Sequence, residues 1–140
     1  MISFKNIYKE YNEVLFENFS MDIEEGIITA LIAPSGSGKT TLMNMLMGFA
    51  EPDSGKIEGI VNKSISAVFQ EDRLLESCTA EENIMLSARN TKLARKISDV
   101  CGITEFLKLY PNEMSGGMKK RTAIARAIAF DGDMLLLDEP

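Results

Sequence analysis

The chain has 140 residues, 45% of them hydrophobic, and carries 21 acidic against 15 basic residues for a net charge of −6. That length suits one domain with a sizeable core, and the acidic balance argues against a protein that lives on nucleic-acid phosphates. Two distant cysteines, Cys78 and Cys101, with no histidine anywhere, lack the spacing of a Cys/His metal centre, and no apolar run approaches membrane-spanning length. The cysteines read as reduced thiols, and Met1-Ile2-Ser3-Phe4-Lys5 lacks the apolar core of a signal peptide, so a cytosolic domain is expected.

Residues 2 to 8 and 14 to 23 are predicted strands. Ile2 and Phe4, Val14 and Phe16, then Phe19, Met21 and Ile23 alternate with polar neighbours, and Tyr11-Asn12-Glu13 connects the two runs. Glu24-Glu25-Gly26 reads as a turn, and the apolar run from Ile27 to Ile32 as a buried strand. Ala33-Pro34-Ser35-Gly36-Ser37-Gly38-Lys39-Thr40-Thr41 comes next. Leu42 to Met47 then has helical spacing and is closed by Gly48. Strand, glycine-rich turn and helix in that order form the context in which the pattern G-x-x-x-x-G-K-[ST] carries weight. Only the first position departs, where Ala33 replaces Gly.

The chemistry of this loop is readable. Small residues from Ser35 to Gly38 let consecutive backbone N–H groups turn inward on phosphate oxygens. The helix that follows adds the positive end of its dipole. Lys39 reaches the β- and γ-phosphates as a point charge, and the Thr40 hydroxyl suits Mg²⁺. The plain alternative, a Gly/Ser-rich surface turn, is weakened by the Lys-Thr pair and the flanking elements. If the backbone of Ala33 sits at positive φ, Ala costs about 1 kcal/mol over Gly there.

Further on, Glu51-Pro52-Asp53-Ser54-Gly55 is a loop, and Lys56 to Gly59 and Ile65 to Phe69 are short strands, the second ending at Gln70. Thr79 with Glu82 three residues later suggests a capping box. Leu93 to Val100 reads as a helix ended by Gly102, and Ile103 to Leu109 as another stopped by Pro111. Several short helices on one side suggest a subdomain inserted into an α/β core. Met114-Ser115-Gly116-Gly117-Met118 then opens a helix running to Phe130. Ile124, Ala127 and Ile128 form its apolar face, and Lys119, Lys120 and Arg126 a solvated one. Its serine and two glycines offer a hydroxyl and free N–H groups at the positive end of a dipole, a second anion-binding terminus, with a plain N-cap as the alternative. Met134 to Leu137 reads as a strand buried on both faces. Asp138 and Glu139 at its carboxyl end lie where ligands bind in open α/β sheets. Asp138 suits Mg²⁺, held directly or through water, and Glu139 suits polarising an attacking water.

Taken together, these segments resemble the nucleotide-binding subunit of an ATP-binding cassette (ABC) transporter, over essentially the whole chain and in the family's motif order. Residues 33 to 40 match the Walker A loop, residues 114 to 118 the signature Leu-Ser-Gly-Gly-Gln, and residues 134 to 139 Walker B with the catalytic glutamate. The resemblance implies an α/β P-loop NTPase core, a mixed sheet with N-terminal antiparallel strands, plus a small α-helical signature subdomain at roughly 71–118 within a partial 1–140 domain. It implies ATP and Mg²⁺ as cofactors. Gln70 matches the Q-loop glutamine, implied in catalysis and in holding the metal with Thr40 and Asp138. Glu139 is the implied base, and Lys39 the implied phosphate lysine. ATP would contact Ser35, Gly36, Ser37, Gly38, Lys39, Thr40 and Thr41 in one subunit and Ser115, Gly116 and Gly117 in the other. Tyr11 falls where the family stacks an aromatic on adenine, Phe16 is a second candidate, and a core role is the alternative for either.

Val68 to Leu75 and Met118 are similar to importers of the nitrate, sulfonate and taurine type. The implied partners are a second ABC subunit in a head-to-tail dimer, membrane permease subunits docking near Gln70, and an extracytoplasmic substrate-binding protein, with no nucleic acid. The implied location is the inner face of the cell membrane, peripherally through the permease. The family continues past Walker B into a D-loop and a strand ending in a switch histidine, whereas this chain stops at Pro140. It therefore reads as a cassette with its C-terminal part missing, expected to be inactive as given. A soluble ABC protein of translation or DNA repair shares the ATP chemistry, but needs a second cassette or an inserted coiled coil, and neither is visible. A nucleotide-binding remnant without turnover is the third reading.

Overall fold

The computed structural model describes residues 1–139, which fall into two units, Met1–Asn62 and the residues from Lys63 onward. In the first unit, strand β1 (Ile2–Glu10) lies between β2 (Val14–Ile23) and β3 (Ser54–Glu58), antiparallel to both. Helix α1 (Lys39–Leu46) belongs to the same unit. The two N-terminal strands are where alternation places them.

The alternation of β1 breaks once, and the break is informative. Ile2 and Phe4 are buried two residues apart, but the next buried apolar residue is Ile7, three further on. The pairing with β2 shifts between Phe4 and Ile7, and the interposed Asn6 has φ 50°. Asparagine tolerates this left-handed conformation better than most residues. The extra residue forms a bulge that turns Ile7 onto the face of Phe4 instead of the opposite one. Its amide donates to Ser20 Oγ at 2.9 Å. Across the sheet, a Cβ on Gly55 would lie 2.4 Å from the Asn6 carbonyl oxygen, so only glycine lets β3 approach the bulge. Ile2, Phe4 and Ile7, each at most 2% exposed, contribute about 1.5–3 kcal/mol apiece through burial.

Residues 27–32 depart from expectation. They form no strand, and Ile28 and Ile32 are 99% and 94% exposed. An apolar run becomes a strand only when a neighbour takes up its backbone groups, and none of the strands pairs with it. An exposed run of this kind is a site of association. We expect the 140-residue chain to self-associate, and Ile28→Lys with Ile32→Lys to weaken that association at least roughly ten-fold, since each buried isoleucine contributes about 1.5–3 kcal/mol. Sedimentation of the parent and the double variant measures this, and equal association would exonerate the run.

The second unit holds β4 (Ile65–Val68), α2 (Ala80–Met85), α3 (Thr91–Val100), α4 (Gly116–Ala129) and β5 (Met134–Leu137). β4 and β5 pair in parallel, Ile65 opposite Met134 and Val68 opposite Leu137. Their entry is fixed by Asp133, whose carboxylate accepts from the Ser64 amide at 2.8 Å and hydroxyl at 2.7 Å. Those bonds hold the Asp133 carboxyl below its ordinary pKa. Val68 packs against Ala123 and Ala127 of α4. The other side of α4 joins Ala80, Ile84, Ala94, Ile103, Phe106 and Met114 in one helical core. Small alanines on both sides of α4 let sheet and helices approach it closely.

Local signals act here as read. Thr79 Oγ1 accepts from the Glu82 amide at 3.3 Å, and the Glu82 carboxylate accepts from the Thr79 amide at 2.8 Å, a complete capping box. Two expectations fail. Residues 103–109 hold only a 3₁₀ turn over Thr104–Phe106, and Pro111 begins another over Pro111–Glu113 instead of stopping a helix. Proline suits a first helical position, since its missing N–H would be unpaired there. β5 is not buried on both faces: Leu135 and Leu137 are 40% and 48% exposed. Its other face carries the half-buried Met134 and Leu136.

Candidate functional site

The loop from 33 to 41 lies in the first unit. It turns through Ser37 N–H to Pro34 O at 3.3 Å and enters α1 at Gly38, which has φ 93°. A Cβ on Gly38 would lie 2.4 Å from Phe16 Cζ, so both its conformation and its neighbour demand glycine. Phe16 is 7% exposed and stacks on Phe19 at 5.1 Å. It is a core residue supporting the loop. Tyr11 is different: it is 60% exposed, with Lys9 Nζ 5.1 Å from its ring centroid.

Lys39 folds back beneath the loop and donates to the carbonyls of Ala33 at 2.6 Å and Pro34 at 3.0 Å. The ammonium is thus held on the loop by neutral acceptors, and among the described residues no carboxylate is bonded to it. Ser37 Oγ is buried and has no hydrogen-bond partner among the described residues. The first turn of α1 has neither a side-chain cap nor an acidic residue. Three groups that favour an anion therefore converge on one short loop: a cation, an unpaired hydroxyl and uncapped helix N–H groups. Ala33 is not at positive φ. The cost expected for replacing Gly is absent, because a residue with ordinary φ has no need of glycine. Thr40 is exposed and Thr41 half-buried.

The remaining candidates lie in the second unit. Gln70 follows β4, and Asp138 follows β5, with the Asp138 amide donating to Val68 O at 2.9 Å. The parallel register sets both beyond the carboxyl ends of adjacent strands, where open α/β sheets bind ligands. Gln70 and Glu139 are exposed, Asp138 is half-buried, and Glu139 has φ 47°. Among the described residues no group of three or more His, Cys, Asp or Glu could hold a metal ion, and no helix is long and apolar enough to cross a membrane.

Ser115 caps α4, its Oγ accepting from the Met118 amide at 3.3 Å. Gly116 and Gly117 are exposed and lie inside the helix without positive φ, and a Cβ on either would meet nothing within 4 Å. Nothing in the chain's own packing requires glycine at these positions, although glycine in a helix costs about 1 kcal/mol relative to alanine.

Sequence reasoning misplaced two side chains and overlooked two. Lys120 and Arg126 do not form a solvated face. Lys120 Nζ donates to the carbonyls of Phe69 at 3.3 Å and Gln70 at 3.1 Å, and Arg126 donates to those of Arg73 at 2.9 Å and Asp72 at 3.2 Å. Burial lowers the pKa of Arg126. Asn83, 1% exposed, brackets Leu75 by accepting from its amide at 2.8 Å and donating to its carbonyl at 3.1 Å. Asn90 caps α3 through the Lys92 and Leu93 amides. An Asn just before a helical run was a legible signal for that cap; Asn83 offered none.

Comparison with known proteins identifies the family and the fold. The family model described as ABC transporter matches residues 16–140. The chain is 37% identical to the thiamine import ATP-binding protein of Aliivibrio fischeri, covering 100% of this chain and 67% of that protein. It is 32% identical to the sulfate/thiosulfate import ATP-binding protein of Pseudomonas syringae, covering 99% of this chain but 49% of that protein. The structure matches a bacterial ABC transporter cassette solved as a dimer, with TM-score 0.84 and 28% identity over 100% of this chain and 74% of that one. The chain thus spans half to two thirds of these curated relatives. It belongs to the ABC transporter family and has the mixed α/β P-loop fold of that family's nucleotide-binding cassette.

Proposed function

We propose that the chain is the ATP-binding and hydrolysing part of an ABC importer subunit. The observation that carries this is the loop around Lys39: an ammonium bonded only to carbonyls, a buried Ser37 hydroxyl without a partner, and an uncapped helix start. Phosphate oxygens answer all three. On binding, Lys39 exchanges its carbonyl partners for the β- and γ-phosphates, while the N–H groups of Ser35 to Thr41 surround them. Tyr11, exposed on the same unit, is the face for adenine.

The donor set fits Mg²⁺, which takes hard oxygen ligands through one or two carboxylates and keeps the rest for water and phosphate. The Thr40 hydroxyl, the Gln70 amide oxygen and the Asp138 carboxylate would hold it. When bound, it neutralises charge on the phosphates. Glu139, next to Asp138, takes the proton of the attacking water.

The unneeded glycines of α4 support a partner. Their bare N–H groups let a phosphate of ATP bound to a second subunit approach Ser115, Gly116 and Gly117 closely. A head-to-tail dimer then closes on ATP and opens on hydrolysis. The helical segment near 71–118 is the surface for permease subunits, which places the protein peripherally on the inner face of the membrane. The related import ATP-binding proteins favour an importer, and an extracytoplasmic substrate-binding protein is the proposed partner that would feed it.

Lys39→Ala tests the phosphate loop. Charge-assisted hydrogen bonds contribute about 1.5–3 kcal/mol, so Mg-ATP affinity should fall at least about ten-fold. A nucleotide titration decides it, and unchanged binding would remove the assignment.

A further inference from the structure

The segment from Phe69 to Leu75 follows β4 but forms no regular structure. The carbonyls of Phe69, Gln70, Asp72, Arg73 and Leu75 nevertheless have side-chain partners, and those partners come from two helices. Lys120 of α4 takes the carbonyls of Phe69 and Gln70, and Arg126, six residues along the same helix, takes those of Asp72 and Arg73. Lys120 also lies 3.6 Å from the Asp72 carboxylate. Arg126 Nη1 reaches Asn83 Oδ1 at 3.4 Å, and Asn83 of α2 closes the segment at Leu75. Within it Arg73 has φ 45°, a conformation that surrounding structure must hold in place, and its guanidinium stacks 3.8 Å from the Phe69 ring centroid. A loop shaped by two cations on one helix follows that helix when it moves.

The start of that helix is Ser115-Gly116-Gly117. Five residues separate Ser115 from Lys120, about 7.5 Å along the axis. We propose that Lys120 and Arg126 are positioning residues that make the Gln70 segment and the Ser115 terminus one mechanical piece, so that nucleotide contact at either sets the place of the other. The coupling rests on the reading of Gln70 and Ser115 to Gly117 as nucleotide contacts; the tether itself does not. Beside the Asp72 carboxylate near Lys120, the two long side chains bond four backbone carbonyls, which suits this role because those four bonds do not depend on what the segment's own side chains bind.

The test is hydrogen exchange of the 140-residue chain, alone and with Mg-ATP. Arg126 is half-buried and its truncation endangers folding, so Lys120 carries the experiment. Without nucleotide, Lys120→Ala should speed exchange of the Leu75 amide, which closes the segment on Asn83 Oδ1, by roughly ten-fold, as expected for loss of charge-assisted bonds, while the central amides of α4 keep their protection. Lys120→Arg, which retains donors, should restore the parent rate. Unchanged exchange at Leu75, or equal loosening of α4, would overturn the proposal. With Mg-ATP, the parent should gain protection at 35 to 41, at 70 to 74 and at 116 to 118. Lys120→Ala should keep the first gain and lose the concerted response of the other two. A concerted response that survives in Lys120→Ala would overturn the coupling. If the parent shows no change at 35 to 41, the nucleotide reading fails, and the ligand-free comparison still decides the tether.

Discussion

Replacing Glu139 by Gln is expected to leave Mg-ATP binding intact and to lower turnover by about 10²–10⁴-fold, the usual contribution of a positioned general base. Gln keeps the shape and hydrogen-bonding capacity of the side chain but takes no proton from water. Binding should persist because the groups that meet the phosphates, Lys39 and the N–H groups before it, lie on a different loop, where Lys39 is already held in place by two carbonyls. The comparison needs a preparation that turns over ATP, with phosphate release and a nucleotide titration measured side by side. The variant should also lengthen the life of any ATP-bound dimer, since opening would wait on a step that no longer occurs. Hydrolysis at the parent rate would show that Glu139 is not the base.

Gly38→Val is expected to destabilise the fold by about 2–5 kcal/mol. Left-handed backbone costs a residue with a Cβ roughly 1–2 kcal/mol, and forcing carbon into a filled space costs about 1–3 kcal/mol more. The neighbour here is an aromatic ring in the core, 2.4 Å from the new Cβ, so it has little room to retreat. Measured against the 5–15 kcal/mol typical of a domain, the loss is large. A urea titration reads the stability, and ATP affinity should fall with it as the loop shifts. Gly117→Ala has the opposite sign. It meets open space in helical backbone and should stabilise the isolated chain by about 0.5–1 kcal/mol while weakening ATP-dependent pairing. Two glycines of one proposed site are thus separable: one serves the fold, the other a surface that approaches from outside. If Gly38→Val were neutral, the packing of Phe16 beneath the loop would be wrong.

What could be read in advance follows from how local each cause is. The capping box of Thr79 and Glu82 is complete within four residues, and it formed as written. The loop from Ser35 to Thr41 likewise carries its chemistry in its own small residues and single lysine. The run from Ile27 to Ile32 has every mark of a strand, yet a strand is a property of a pair, and no window of sequence contains the partner. Leu135 and Leu137 failed for a related reason: four apolar residues in a row indicate burial without saying which faces are covered. Helical periodicity puts Arg126 opposite the stripe of Ile124, Ala127 and Ile128, whereas Lys120, four residues before Ile124 and seven before Ala127, falls on the stripe's own side; charge alone made both read as solvated, and nothing local could reveal that a segment some fifty residues earlier would take up their donors. The bulge at Asn6 was hidden because alternation is judged over several residues, and one inserted residue costs only a single mismatch.

The parallel pairing of β4 with β5 also sets an order of events during synthesis. Ser64 and Asp133, which fix that pairing, are 69 residues apart. At 5–20 residues per second, β4 therefore waits about three to fourteen seconds on the ribosome before its partner strand has been made. The helices between them pack on one another within a shorter stretch of chain than the strands span, so their core can close before β5 is made. Capping by Thr79 and Asn90 gives α2 and α3 their boundaries before any sheet exists in this unit. Lys120 and Arg126 are also made before β5, so their bonds to the residues after β4 can close while its edge is still bare. The nascent unit is thus a helical knot trailing one unpaired strand, and β5 docks last into a place already built for it.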